Sequence, residues 1–449
     1  MVELAVSVTS EEQVVISQPI PIFQYVHPTE FRTSISPSSA VELNMTSTLA
    51  SYVTEAGIFI VAAKRTPFGT YGGKFTKTSA LELQAVAAKA ALAAGGVKPE
   101  NVDSVVIGNV LMASASDGGF LPRHTLLRSG IPVDRPALGV NRLCGSGFQS
   151  IINGAQFILV GDSKVVLTGG TDNMSQSPFA VRNIRFGTTL GTPLELEDTL
   201  WSGLTDTYCK LPMALTAEKL SEQFGITRDD TDKFSLRSQT LWKNAHDNGY
   251  FKEELAPVTV NIKRKDVVVD VDEHPKPQTT PEILAKLNPV FKKGGVVTAG
   301  SASGICDGAG SVIVASEQAV KEQGLTPLAR LVGYSIVGVD PSIMGIGPSP
   351  AIKNLLKITG LTLGDIDLVE INEAFAGQTL ACRKDLDLDI NKLNVNGGAI
   401  ALGHPLAASG ARITTHLVHE LRRRKGKYGI GSACIGGGQG IAVLLESIH

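Results

Sequence analysis

From Ile58 onward the chain alternates short apolar runs with alanine-rich or amphipathic stretches. Ile58–Ala63, Val102–Gly108 and Lys164–Gly170 are apolar runs bounded by turn formers, the pattern of strands buried on both faces. Between them, Ser79 stands as an N-cap before an Ala-rich helix to about Ala94, and Gly145-Ser146-Gly147 opens an apolar helix to about Val160. Strand–helix alternation of this kind predicts an α/β fold with helices on both faces of a sheet.

The rhythm breaks between about residues 171 and 297. That stretch holds both tryptophans, Trp201 and Trp242, several charged helical segments and a Lys/Asp-rich patch at Lys263–Asp272. It reads as an insertion between core elements. Beyond it the first pattern returns. Ala87, Lys89, Leu92, Gly96, Asp103, Val105 and Ile107 align at one constant spacing with Ala351, Lys353, Leu356, Gly360, Asp367, Val369 and Ile371. Both copies read helix, glycine turn, strand, so the chain is expected to hold two similar α/β halves, with a pocket where they meet.

Composition narrows the function. The 449 residues are 43% hydrophobic and 19% charged with a net charge of −2, which suits a large enzyme and argues against nucleic acid as the main partner. No apolar run is long enough for a transmembrane helix. The five cysteines, Cys144, Cys209, Cys306, Cys382 and Cys434, are scattered and odd in number, so they read as free thiols. No spacing suits structural zinc. His416 and His419 share a helix face without a third ligand, and Arg422–Lys427 reads as a solvated helix end.

Three stretches carry chemistry. In Asn141-Arg142-Leu143-Cys144-Gly145-Ser146-Gly147 a thiol sits at a helix N-terminus, where the dipole is expected to lower its pKa and bare glycines admit a substrate to the backbone. In Gly403-His404-Pro405 a histidine is presented on a stiff loop, with Ser409 or Gly410 starting the next helix. In Ser432-Ala433-Cys434-Ile435-Gly436-Gly437-Gly438 a second thiol meets a glycine turn that lacks the context of a dinucleotide or phosphate loop. Asn372-Glu373 ends a strand: Asn372 can hold a water or an oxyanion, and Glu373 can orient a neighbour or cap the turn. One sulfur to take an acyl group, another to move a proton, and exposed N–H groups suit thioester chemistry.

Together with Val61–Gly69, Asp340–Gly345 and Asn394–Pro405, these motifs make the chain from about Ile58 to its C-terminus resemble the thiolase family, most closely members that cleave 3-ketoacyl-CoA. The resemblance implies a layered αβαβα sandwich of two α/β halves, residues 57–325 and 326–449, with a loop domain inserted at about 171–297. It implies an acyltransferase of fatty-acid β-oxidation that uses coenzyme A as co-substrate, holds no permanent cofactor and forms a homodimer or homotetramer. Cys144 would be the acylated nucleophile and His404 its base. Cys434 would protonate the departing acetyl-CoA and deprotonate incoming CoA. One oxyanion hole would use His404 and a water on Asn372; the other, the N–H groups of Cys144 and Gly436. Lys276, Thr279 and Ser303 would contact CoA, and Met213, Met344 and Phe375 would line the acyl or pantetheine channel. Three positions depart from the family pattern: Lys276 for arginine, Ser301 for asparagine, and Ala407 for a glycine, which would be strained if that glycine had positive φ.

Rival readings are an acetyltransferase limited to the four-carbon substrate, an acyl-CoA thioesterase, and a non-catalytic CoA or lipid binder; retention of Cys144, His404 and Cys434 argues against the last two. Residues 1–56 lack period, carry Arg32 as their one basic residue and several glutamates. They make a poor mitochondrial presequence. Residues 1–44 are thus either a disordered extension or a product of start-site choice before Met45. The resemblance implies a mitochondrial location, with a cytoplasmic one as the alternative.

Overall fold

The computed structural model describes residues 57–449, so the expectations for residues 1–56 lie outside the described residues. The first half begins with β1 (Ile58–Arg65), α1 (Ala80–Gly95), β2 (Ser104–Gly108), α2 (Leu121–Arg128) and β3 (Ala137–Val140). It continues with α3 (Ser146–Leu159), β4 (Val165–Asn173) and, after the insertion, β5 (Cys306–Ser316). The second half holds β6 (Ala329–Gly338), α6 (Pro348–Thr359), β7 (Leu368–Ile371), α7 (Ala376–Leu386), α8 (Ala408–Arg424), β8 (Tyr428–Ile435) and β9 (Gln439–Ser447). Within the insertion lie α4 (Met213–Gln223) and α5 (Arg228–Asp247).

The strands run in the order β7-β8-β9-β6-β1-β5-β4-β2-β3, with Gly69–Thr70 paired beside β5. The halves join where β1 meets β6, through only Phe59↔Arg330 and Ile60↔Ala329. Outward from that seam both halves repeat one order, and β7 pairs with β8 in parallel as β2 does with β4. The aligned segments also fold alike. α1 and α6 each end on a left-handed glycine, Gly96 at φ 61° and Gly360 at φ 70°, where a Cβ would be strained. Ser79 caps α1, accepting from the Glu82 N–H while the Glu82 carboxylate accepts from the Ser79 N–H.

Five layers result. α1 and α2 cover one sheet face of the first half. α6 and α7 cover one of the second. Phe148, Ile151 and Ile152 of α3 and Ile413, Leu417 and Leu421 of α8 form the middle layer, packed against strands of both halves. Gly147 and Gly410 let α3 and α8 touch backbone to backbone: a Cβ on Gly410 would sit 2.4 Å from the Phe148 nitrogen. The loops that carry Cys144 and His404 lead into the N-terminal ends of these two helices.

A buried polar cluster ties the insertion to the core. Arg65 of β1, wholly buried, donates to Glu254 at 2.7 Å and through two nitrogens to Asp272 at 2.7 and 3.0 Å. His416 of α8 meets the other Glu254 oxygen at 2.8 Å, and His419 bonds the Ala63 carbonyl at 3.0 Å. These two histidines, adjacent on one face as the sequence predicts, are thus occupied in packing. Ala407 brings a correction. It has φ −72°, ψ −26°, in the right-handed region, so the anticipated alanine strain beside His404 does not arise.

Candidate active site

A cavity of about 200 Å3 opens between the halves, under the insertion. Cys144 and His404 reach it from two separate loops, and Cys434 and Gly436 from the end of β8 and the turn that follows it. Met213, Ser303, Met344 and Phe375 also line it. Lys276 and Thr279 do not. They occupy an exposed turn in which the Thr279 N–H and hydroxyl both bond the Lys276 carbonyl, and the Lys276 N–H donates to Gln239 at 2.9 Å. Ser301 closes the turn before Ser303 by donating to the Val296 carbonyl and accepting from the Thr298 N–H.

Cys144 lies in the turn Leu143–Gly145 that leads into α3. Leu143 has φ 44°, a left-handed conformation that costs a non-glycine residue about 1 kcal/mol or more. It is held there by the Asn141 side chain, which accepts the Leu143 N–H at 3.0 Å, and by Ser146, whose hydroxyl donates to the Leu143 carbonyl at 2.7 Å. Withdrawal from water pushes the Cys144 thiol up to about 11; N–H groups of Gly436 and of Cys144 itself oppose this, and Asp172 adds to it. The expected fall at a helix N-terminus is therefore reversed. Desolvation of a thiolate outweighs the backbone dipoles that face it.

His404 follows Gly403, whose φ is 93° and whose absent Cβ would overlap the Cys306 sulfur at 2.0 Å. The His404 N–H is anchored on the Gly304 carbonyl at 2.9 Å. Its ring is fixed at both nitrogens. The Ser409 hydroxyl donates to the Pro405 carbonyl at 3.2 Å, which leaves its oxygen to accept from Nδ1–H of His404 at 2.5 Å. Asn372 Nδ2 lies 3.2 Å from Nε2 and donates to it. We assign the tautomer with the lone pair on Nε2, in which Ser409 accepts from Nδ1–H and Asn372 donates to the nearer nitrogen, 3.2 Å against 3.5 Å to Nδ1. Burial pushes the imidazole down to about 4. The second Asn372 atom, Oδ1, is buried and has no partner among the described residues.

Cys434, on β8, is 1% exposed and packs with Met344 and Ala374. Burial, helped by the nearby Cys144 and Cys382 sulfurs, raises its thiol well above the ordinary range. Glu373 points away from the cavity. It accepts from Ser238 at 2.7 Å, Asn394 at 2.8 Å and the Ile400 N–H at 3.1 Å, and so braces the stretch leading to His404.

Sequence reasoning missed Asp172 and treated Ser409 only as a helix start. Asp172 is fully buried at the end of β4. One oxygen accepts from Asn109 and the N–H groups of Val110 and Leu111; the other accepts the Ala407 N–H at 2.7 Å. It thereby fastens the His404 loop of one half to the other half. Burial raises its carboxyl to about 6 despite those four donors. An acid near the end of a strand that is buried throughout, Val165–Asn173, was the available signal.

At neutral pH, then, the cavity presents a neutral thiol, a neutral imidazole with its lone pair on Nε2, and a second neutral thiol. Such a set can form a thioester on one sulfur and move protons with the other two groups, which defines acyl transfer through cysteine. The chain belongs to the thiolase family: residues 58–318 match the thiolase N-terminal domain and residues 325–447 the thiolase C-terminal domain. It is 63% identical to the Homo sapiens protein named 3-ketoacyl-CoA thiolase, mitochondrial, over 391 residues, covering 87% of this chain and 98% of that protein. It is 44% identical to an acetyl-CoA acetyltransferase of Syntrophomonas wolfei over 395 residues, 87% of this chain and 99% of that protein. The crystal structure of human mitochondrial 3-ketoacyl-CoA thiolase in complex with CoA superposes with a TM-score of 0.86 at 62% identity, over 88% of this chain and 99% of that one.

Proposed function

We propose that the chain is a 3-ketoacyl-CoA thiolase that uses CoA to cleave 3-ketoacyl-CoA into acetyl-CoA and a shortened acyl-CoA. The observation that carries this reading is the meeting of Cys144, His404 and Cys434 in one cavity, in a chain that is similar to such an enzyme over almost its whole length. The animal relatives are named mitochondrial, and fatty-acid β-oxidation in the mitochondrion is the setting we assign.

In the first half-reaction Cys144 Sγ attacks the C3 carbonyl and its proton passes to His404 Nε2. The resting states suit this: a thiol well above neutrality needs a base, and a neutral imidazole supplies one. The C3 oxyanion grows beside the N–H groups of Cys144 and Gly436. The C2–C3 bond then breaks, its electron pair goes to C2, and the Cys434 thiol protonates that carbon to release acetyl-CoA. Taking the proton at Nε2 releases the Asn372 N–H that it had accepted, and the thioester oxygen of the leaving enolate then faces two donors, His404 Nε2–H and Asn372 Nδ2. In the second half-reaction the CoA thiol gives its proton to the Cys434 thiolate and attacks the acyl-Cys144 carbonyl. Cys144 leaves and recovers its proton from His404.

Ser303, Met213, Met344 and Phe375 are assigned to the pantetheine and acyl chain, which their place on the cavity wall supports. Lys276 and Thr279 lie outside the cavity, a position that suits the nucleotide end of CoA. Replacing Lys276 with alanine is expected to raise the KM for CoA about fivefold and leave kcat within twofold, as loss of one exposed charge contact would. A homodimer or homotetramer is retained as the assembly, supported by fully exposed Phe186 and Leu190 in the insertion; light scattering on the eluted protein tests it.

The test is CoA-dependent cleavage of acetoacetyl-CoA and of a medium-chain 3-ketoacyl-CoA, with Cys144→Ala and Cys434→Ala as controls. Cleavage of both substrates, lost in either variant, is expected. Cleavage of acetoacetyl-CoA alone would make the chain an acetyltransferase.

A further inference from the structure

The two N–H groups assigned to the C3 oxyanion come from different halves of the molecule. The Cys144 turn belongs to the first. The Gly436 N–H belongs to the Gly436–Gly438 turn, which links β8 to β9 and is closed by the pair Ile435↔Gln439. Apolar contact brings the two turns together. A Cβ on Gly145 would meet the Ile435 side chain at 2.6 Å, and one on Gly436 would meet Leu143 at 3.1 Å. Apolar contact limits approach but leaves sliding free, and an oxyanion hole tolerates little sliding.

Arg142 supplies what is missing. Its Nε donates to Gln149 Oε1 at 2.7 Å, and its Nη1 donates to Gln439 Oε1 at 2.7 Å. Gln149 is on α3, the helix that Cys144 precedes. Gln439 is the residue that closes the glycine turn. The guanidinium thus clamps both turns with two arms of one rigid plane. A guanidinium only donates, so both amides must present oxygen to it. The Gln149 NH2 is thereby directed to Asn153, that of Asn153 to Gln156, and that of Gln156 to the Tyr334 hydroxyl on β6. The orientation of the whole chain of amides follows from the arginine. Its backbone takes part as well: the Arg142 N–H donates to the Ser146 hydroxyl that holds strained Leu143. Arg142 is half-buried, and among the described residues its side chain bonds two glutamines and no carboxylate. A half-buried cation with only neutral acceptors is costly, and a surface pairing would have been the cheaper arrangement.

We propose that Arg142 is a positioning residue that sets the register between the Cys144 and Gly436 N–H groups by bridging Gln149 and Gln439. The proposal rests on the thiolase reading above.

The experiment measures kcat and KM for 3-ketoacyl-CoA cleavage by the wild type, Arg142→Gln, Arg142→Lys, Gln439→Leu and the double variant Arg142→Gln/Gln439→Leu. Each kcat is expressed per Cys144 that forms an acyl-enzyme in a burst with labelled acyl-CoA, so misfolded protein is not counted. Arg142→Gln and Gln439→Leu are each expected to lower kcat about 10–100-fold with KM within about threefold, as misalignment of one oxyanion donor would. The double variant should be no worse than the poorer single, because both break one bridge. Arg142→Lys, which keeps charge but has no fork, should resemble Arg142→Gln. A burst-normalised kcat within twofold of wild type in Arg142→Gln would overturn the proposal, and so would full activity in Arg142→Lys or additive losses in the double variant. A wild-type protein that cleaves no 3-ketoacyl-CoA would instead sink the thiolase reading, and the proposal with it.

Discussion

Replacing Ser409 with alanine isolates the tautomer of His404. Ser409 is 1% exposed, and its hydroxyl stands between Nδ1–H of the ring and the Pro405 carbonyl. The Pro405 carbonyl still accepts the N–H groups of Ala408 and Ser409 after the change, so the start of α8 keeps its backbone bonds. What is lost is the acceptor for Nδ1–H. A buried donor left without a partner costs about 1–3 kcal/mol. The ring can avoid that cost by moving its proton to Nε2, where Asn372 Nδ2 then faces a second donor and the lone pair needed by Cys144 is gone. Either route removes about 1–3 kcal/mol of useful base, or roughly 5–150-fold in kcat at 1.4 kcal/mol per tenfold. Thiolysis by purified Ser409→Ala, measured beside Ser409→Cys with its weaker acceptor, should give a kcat about 10–100-fold down for alanine and an intermediate value for cysteine. KM for 3-ketoacyl-CoA should stay within about threefold and the thermal midpoint within a few degrees. A kcat within twofold of wild type would refute the argument, because it would mean that Asn372 alone fixes the ring.

Three further outcomes are expected. With the Cys144 thiol near 11 and the His404 imidazole near 4, the resting pair is neutral, so iodoacetamide should inactivate about tenfold faster per pH unit from about pH 6 to about pH 9; a plateau in that range would reveal a preformed thiolate–imidazolium pair. Asp172→Asn should turn an NH2 toward the Ala407 N–H, lowering stability by about 1–3 kcal/mol and slowing thiolysis through the displaced His404 loop; denaturant midpoints and kcat check both. Arg65 and His416 hold the folded Glu254 carboxyl at about 2 against an ordinary 4.5, even though burial alone would raise it, so its stabilisation is complete above about pH 4.5 and fades as pH falls toward 2. Glu254→Gln should therefore be about 3–5 kcal/mol less stable at neutral pH, with the gap to wild type closing below about pH 4; a gap that persists in acid would exclude the linkage.

The motifs that carry chemistry were legible because glycine, proline, cysteine and histidine in tight loops have few structural reasons to occur together. The repeat was legible because Gly96 and Gly360 must both be left-handed, and a side chain at either would strain the helix end. Contacts between the halves were not legible. The bond from Asp172 to the Ala407 N–H spans 235 positions, and that from Arg142 to Gln439 spans 297; no local pattern reports either. The thiol of Cys144 was misjudged for a related reason. Its helix N-terminus is written in the local sequence, while the cluster it packs against includes Met174, Leu200 and Leu406, which are remote in the chain. Ala407 shows the converse. The departure from glycine looked costly only while its φ was unknown.

Dividing one site between two similar halves has a mechanical consequence. In each half the loop that enters the buried helix of the middle layer carries a reactive group: Cys144 before α3, His404 before α8. Because α3 and α8 touch at Gly147 and Gly410 with no side chain between them, the origins of both loops are fixed by backbone contact. Substrate length can then be adjusted in the inserted segment, which supplies Trp201, Leu204 and Met213 to the cavity wall, without moving the sulfur, the imidazole or the oxyanion donors. The converse also holds. A substitution at Gly147 or Gly410 should damage both half-reactions together, since it separates the two helices on which every reactive group but Cys434 depends, whereas a change at Trp201 should alter only which acyl chains are accepted.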